Sequence, residues 1–169
     1  EFEDLSEAYI DGGTEYFIKD TSSGLEMWFE MSWRPVAGRW IRLDKEPKAD
    51  VLMEESVGIV NSDVRLLAPE DNLLQVAIHT AKHSYVREPG FRLHLDVDRV
   101  VKYSNIDWDR FLEKANQVGA QNAIYFSLFI AKRLFKTPIP EKVIEKLKPS
   151  YVRRSYVFST LTNVRLLHP

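Results

Sequence analysis

Pro69-Glu70-Asp71-Asn72-Leu73-Leu74-Gln75-Val76-Ala77-Ile78-His79-Thr80-Ala81-Lys82-His83 marks where β signals give way to helix signals in this chain. Pro69 suits a first helical position, because its missing N–H would be unpaired there in any case. Glu70 and Asp71 suit the positive end of the helix dipole. Leu73, Leu74, Ala77, Ile78 and Ala81 then repeat at helical spacing and define one apolar face. The pattern predicts a helix from Pro69 to about Tyr85, ended by the break at Pro89-Gly90.

Upstream, the residues from Leu25 to Arg34 alternate. Leu25, Met27, Phe29, Met31 and Trp33 fall on one face of a strand, and Glu26, Trp28, Glu30, Ser32 and Arg34 on the other. Thr14 to Lys19 is a second run of β-formers, and Thr21-Ser22-Ser23-Gly24 between them is a turn cluster, so the two read as a hairpin closed by Pro35. Trp40-Ile41-Arg42-Leu43 is a candidate short strand, and residues 49–57 fit either a strand or a loose helix. Val57 to Val60 and Val64 to Leu67 read as an extended pair around Asn61-Ser62-Asp63.

Downstream, residues 91–101 satisfy two periods at once. Phe91, Leu93, Leu95 and Val97 alternate with Arg92, His94, Asp96 and Asp98 as in a strand, while Leu93, Val97, Val100 and Val101 fit a helical stripe. Acids in Asn105-Ile106-Asp107-Trp108-Asp109 open a helix buried through Phe111, Leu112, Ala115 and Val118, and Gly119 interrupts it. Ala123 to Phe135 continues as an apolar helix with Lys132, Arg133 and Lys136 at its negative end. Glu141 to Leu147 is one more short helix, and the aromatic-rich segment after Pro149 has no decided structure. The sum is an α+β chain: a small β-rich part over residues 1–66, then a bundle of four to five helices over residues 67–169.

At 169 residues, with 44% hydrophobic residues, the chain can build a core without staples. Cysteine is absent, which excludes disulfides and cysteine zinc sites and points towards a reducing, cytoplasmic setting. The net charge is −2, so no global field recruits nucleic acid. The apolar run from Ala123 to Ala131 is too short to span a bilayer, and Glu1-Phe2-Glu3-Asp4 is no signal peptide. The absence of an initiator methionine and the ending at His168-Pro169 suggest a fragment.

Glu26 and Glu30 share the polar face of the predicted strand, where paired acids can hold a divalent metal or simply face water. His79 and His83, four apart on one helix, could chelate a metal, but no acid joins them and Thr80 breaks the H-E-x-x-H pattern. His94, Asp96 and Asp98 after Arg92 either face a ligand or form ion pairs that fix two elements together. No nucleophile accompanies them, so no triad follows. Gly12-Gly13 lacks the other residues of a phosphate loop, and the basic tail from Lys142 to Arg165 reads most simply as a solvated face.

Three segments together resemble a bacterial family of nucleotidyltransferases. Phe29-Glu30-Met31-Ser32-Trp33-Arg34 resembles its acid-Leu-His-Trp-Arg strand. Leu67 to Leu74, running on to His79-Thr80-Ala81-Lys82-His83, resembles its PED-LL…H-x-AKH helix. Phe91-Arg92-Leu93 through Asp98-Arg99, with Ile106-Asp107-Trp108-Asp109, resembles its RL…D…iDWd segment, and this favours a helix for residues 91–101. The resemblance implies a mixed sheet carrying three carboxylates beside a helical part, with Mg²⁺ and a nucleoside triphosphate as cofactors. The nucleotidyl group would pass to an unknown acceptor hydroxyl. It makes Glu30 a catalytic, metal-binding carboxylate and puts Arg34, His83 and Asp98 forward as cofactor-binding residues. The family's Asp-x-Asp strand, which follows a Gly-Ser or Gly-Gly turn, has no match here, and Ser32 replaces its histidine. The chain then reads as the C-terminal portion of such an enzyme, inactive in transfer by itself. A non-catalytic binding or regulatory module with this fold is the alternative. In it Glu30 is structural, and His79, His83, His94 and Asp98 form a polar seam between helices. A helical metal-binding domain built on His79 and His83 is a third reading.

Overall fold

The computed structural model describes residues 13–19, 24, 26–32, 34, 41–87 and 90–161, with backbone alone for 13–19 and 26–32. Strands β1 (Gly13–Lys19) and β2 (Glu26–Ser32) form the predicted antiparallel hairpin. In its register Lys19 stands opposite Glu26, and Glu15 opposite Glu30. The strand expected over Trp40-Ile41-Arg42-Leu43 does not form in its described part. Ile41 is buried in the helical core, and Leu43–Lys45 is a 3₁₀ turn, closed by the Lys45 N–H donating to the Arg42 carbonyl at 2.8 Å. Arg42 also grips Asp44 two residues on, a local pairing that suits a turn.

Residues 49–57 resolve mainly as helix α1 (Ala49–Glu55), which buries Leu52. Strands β3 (Val57–Gly58) and β4 (Arg65–Leu66) then pair antiparallel around the 61–63 turn, as the turn residues imply, but over only two residues each. Arg65 braces this second hairpin by donating to Ser56 Oγ and to the Ser56 carbonyl, both at 2.6 Å.

Six helices follow among the described residues: α2 (Pro69–Lys82), α3 (Phe91–Tyr103), α4 (Trp108–Val118), α5 (Gln121–Phe135), α6 (Glu141–Leu147) and α7 (Tyr151–Thr160). The last one occupies the segment that the sequence left open. Pro69 opens α2 as its proline predicts. The Asp107 carboxylate caps α4, accepting from the N–H groups of Asp109 and Arg110 at 3.1 Å. Gly119 ends α4 in the left-handed region at φ 73°.

Helices α2, α3 and α5 pack on one another, and α4 and α6 close the flanks. Leu73, Leu74, Ala77, Val97, Phe111, Ile124, Leu128 and Val143 lie at the centre of the resulting core. Ser127, buried on α5, donates to the Ala77 carbonyl at 2.6 Å and so ties α5 to α2. No helix among the described residues is long and apolar enough to cross a membrane.

Candidate functional site

Glu30 lies near the middle of β2, directly opposite Glu15 of β1. Like charges in that position repel across a hairpin unless something compensates them. The sequence reading found Glu30 but not Glu15. The register of the hairpin, which depends on turn geometry, was the missing information. Arg34, two residues beyond β2, is committed elsewhere: its Nε and Nη2 donate to the two oxygens of Glu46, each at 2.8 Å. This bidentate fork holds the 44–48 segment to the end of the strand.

The polar residues of the helical part divide into structural ties and one cavity. His83 is the C-terminal cap of α2, and its ring lies 4.7 Å from that of His79. No group of three or more His, Cys, Asp or Glu residues that could hold a metal occurs among the described residues. Thr80, at the position a metalloprotease helix gives to glutamate, is fully buried and bonds back to the Val76 carbonyl at 2.7 Å.

His94 and Asp98, one turn apart on α3, do not meet in a shared site. His94 Nε2 lies 2.8 Å from the Tyr85 carbonyl, so it carries the proton and donates. Its Nδ1 is buried with no partner. Burial pushes the His94 pKa down, and the bond to Tyr85 only partly offsets this. Tyr85 itself adopts φ 65°, and burial pushes its phenol well up. Asp98 accepts from Thr137 Oγ1 at 2.6 Å and from Lys102 at 2.9 Å, which binds α3 to the loop after α5. Asp98 is thus a tie in the fold.

The acids of the α2 motif are equally engaged. Glu70, buried, accepts the Asp107 N–H at 2.8 Å and so joins the start of α2 to the cap of α4. Asp71 is 1% exposed. The Lys114 ammonium lies 2.8 Å from its Oδ1, yet neither carboxylate oxygen receives a well-directed hydrogen bond. Lys114 also contacts Glu55 at 2.5 Å, and Glu55 pairs with Arg110 at 2.7 Å. Burial raises the Asp71 pKa, and Lys114 only partly opposes it. Burial works against the Lys114 charge, but its contacts with the Asp71 and Glu55 carboxylates outweigh it and raise its pKa. The Lys114 bond lowers the pKa of Glu55.

Asp71 and Lys114 of this cluster sit in the wall of a cavity of about 330 Å³ between the 44–52 segment and helices α2 and α4. Leu52, Leu74 and Val118 line it beside Asp71 and Lys114, with Lys45 and Lys48 at its edge. Sequence reasoning missed Asp71, Lys114 and Glu55 as a group, because their contacts span up to 59 positions. One signal was present. Asp71 occupies the apolar stripe of α2 with Leu74 and Ile78, and Lys114 that of α4 with Phe111 and Val118.

The structural ties fall on the motifs that drew the family resemblance, and the chain-wide comparison agrees. A family model described as an uncharacterised nucleotidyltransferase matches residues 7–136. No curated protein and no solved structure matches the chain. With most of its length matched, from before β1 to the end of α5, the chain belongs to the uncharacterised nucleotidyltransferase family.

Proposed function

We propose that this chain serves Mg²⁺-dependent transfer of a nucleotidyl group from a nucleoside triphosphate to an acceptor hydroxyl, with Glu30 as a metal-binding carboxylate. The observation that carries the reading, within the family, is the register that sets Glu15 opposite Glu30. Two glutamates at paired register positions would weaken a hairpin by repulsion, whereas a divalent cation shared by them would strengthen it. The donor set fits Mg²⁺, a hard cation usually held by one or two carboxylates together with substrate phosphates. When bound, the metal would neutralise charge on the phosphoryl oxygens. Glu30 and Glu15 would position it, and Arg34, freed from or shared with Glu46, would stand near the end of β2 to meet phosphate.

The test combines melting with turnover. Mg²⁺ should raise the melting temperature of the wild-type chain, and Glu30→Gln should remove that rise without lowering the metal-free melting temperature. In the full-length protein the same change should abolish Mg²⁺-dependent transfer. An Mg²⁺ response that survives Glu30→Gln removes Glu30 from the metal site.

A second reading is a non-catalytic binding or regulatory module. His94, Asp98 and Glu70 favour it, because each is spent on holding helices together. Nucleotide binding by the full-length protein without any transfer would select it.

A further inference from the structure

We propose that the cavity between the 44–52 segment and helices α2 and α4 is a nucleotide pocket that takes a guanine base against Asp71 and phosphate against Lys45 and Lys48. The proposal borrows nucleotide chemistry from the function above, but it concerns binding alone and stands apart from Glu30. A volume of about 330 Å³ is within the range of small-molecule sites, and the walls at Leu52, Leu74 and Val118 are apolar.

The charges select the ligand. Asp71, Glu55, Lys114 and Arg110 sum to zero in the inner cluster, so the group that enters there should be uncharged. It should also donate, because Asp71 Oδ2 is a buried acceptor that receives no hydrogen bond, while Oδ1 meets the Lys114 ammonium at 2.8 Å. At the edge, Asp44 is held by Arg42 and Glu46 by Arg34, while Lys45 and Lys48 form no ion pair with the described residues. The outer end of the ligand should therefore be anionic. A neutral head rich in N–H groups, a flat body for apolar walls and an anionic tail together describe a nucleotide.

Among the bases, guanine presents two adjacent N–H donors, at N1 and N2, next to the O6 acceptor. Asp71 can accept from the donors. Lys114, with two of its three N–H groups directed at Asp71 and Glu55, keeps one for O6. Adenine would turn its ring acceptor towards the carboxylate. Lys114 contacts both Asp71 and Glu55, and a shift of its flexible stem towards Glu55 would admit the base.

Calorimetric titration of the full chain in EDTA with GMP, AMP and ribose 5-phosphate tests the idea. GMP should bind at least tenfold more tightly than AMP, with ribose 5-phosphate weaker still. Asp71→Asn should cost GMP tenfold or more while melting no lower than wild type, since it removes a desolvated charge and leaves Lys114 its Glu55 partner. The exposed double change Lys45→Glu with Lys48→Glu avoids the core and should weaken GMP binding and flatten its salt dependence. Equal affinity for GMP and AMP, no binding of either, or unchanged GMP binding in both variants would overturn the proposal. Glu30→Gln should leave GMP binding intact. GMP binding without an Mg²⁺ response would sink the transfer reading alone, and an Mg²⁺ response without GMP binding would sink this one alone.

Discussion

At the scale of single residues, His94 responds to a change of pH although it is fully buried. Its Nε2–H is spent on the Tyr85 carbonyl, and a second proton at Nδ1 would enter a buried position with no acceptor. The unfolded chain takes that proton near pH 6.5, while the native state resists it until a lower pH. In the interval between, the unfolded state binds more protons, so native stability falls as pH falls. The penalty starts near pH 6.5, grows towards the native pKa and is constant below it. Urea titrations from pH 8 to pH 5 should show this decline in wild type, and His94→Gln should flatten it. The variant should also lose about 1–2 kcal/mol at pH 8, where the buried ring is missed. An unchanged slope in the variant would assign the pH dependence to another group. Sequence spacing left strand and helix open here, and the helix that forms puts His94 and Asp98 on one face. Spacing could not tell that one turns to the α2–α3 turn and the other to the loop after α5, because both partners lie outside the helix.

At the scale of elements, the helices were legible wherever a stop or start signal coincided with the period. Pro69 opens α2, Gly119 closes α4, and both boundaries lie where those residues predict. Residues 91–101 were not legible, because the polar positions of the strand pattern included His94 and Asp98, which prove to be buried. A strand reading treats them as the wet face. Burying them requires partners that only the assembled helices supply. Ile41 to Leu43, the described part of the expected strand, differ for the opposite reason: β-forming residues that find no strand to pair with among the described residues settle into a turn. Gly119 gives the clearest test at this scale. A Cβ there would meet nothing within 4 Å, so any cost of Gly119→Ala comes from the backbone at φ 73°. The expected loss is about 1–2 kcal/mol, read from denaturant midpoints at constant m-value. A neutral substitution would mean that the α4–α5 corner relaxes out of the left-handed region.

At the scale of the whole molecule, the question is which residues the helical core needs in order to close. The division drawn from sequence lies between residues 66 and 67, where hairpin signals end. The core, however, takes in Ile41, and the ion cluster at Lys114 draws on Glu55 of α1. A chain starting at residue 67 would leave Lys114 to compensate the buried Asp71 alone. It would also expose the α2 and α4 surfaces that line the cavity with Leu52. Residues 41–161 should therefore unfold in one cooperative transition, and residues 67–161 should melt at a markedly lower temperature. Circular dichroism melts of the two pieces decide the matter. Equal melting temperatures would place the boundary at residue 66 and make α1 a passenger. A lower value for the shorter piece would make α1 and the turn before it part of the helical unit, so that the cavity lies within one folding unit.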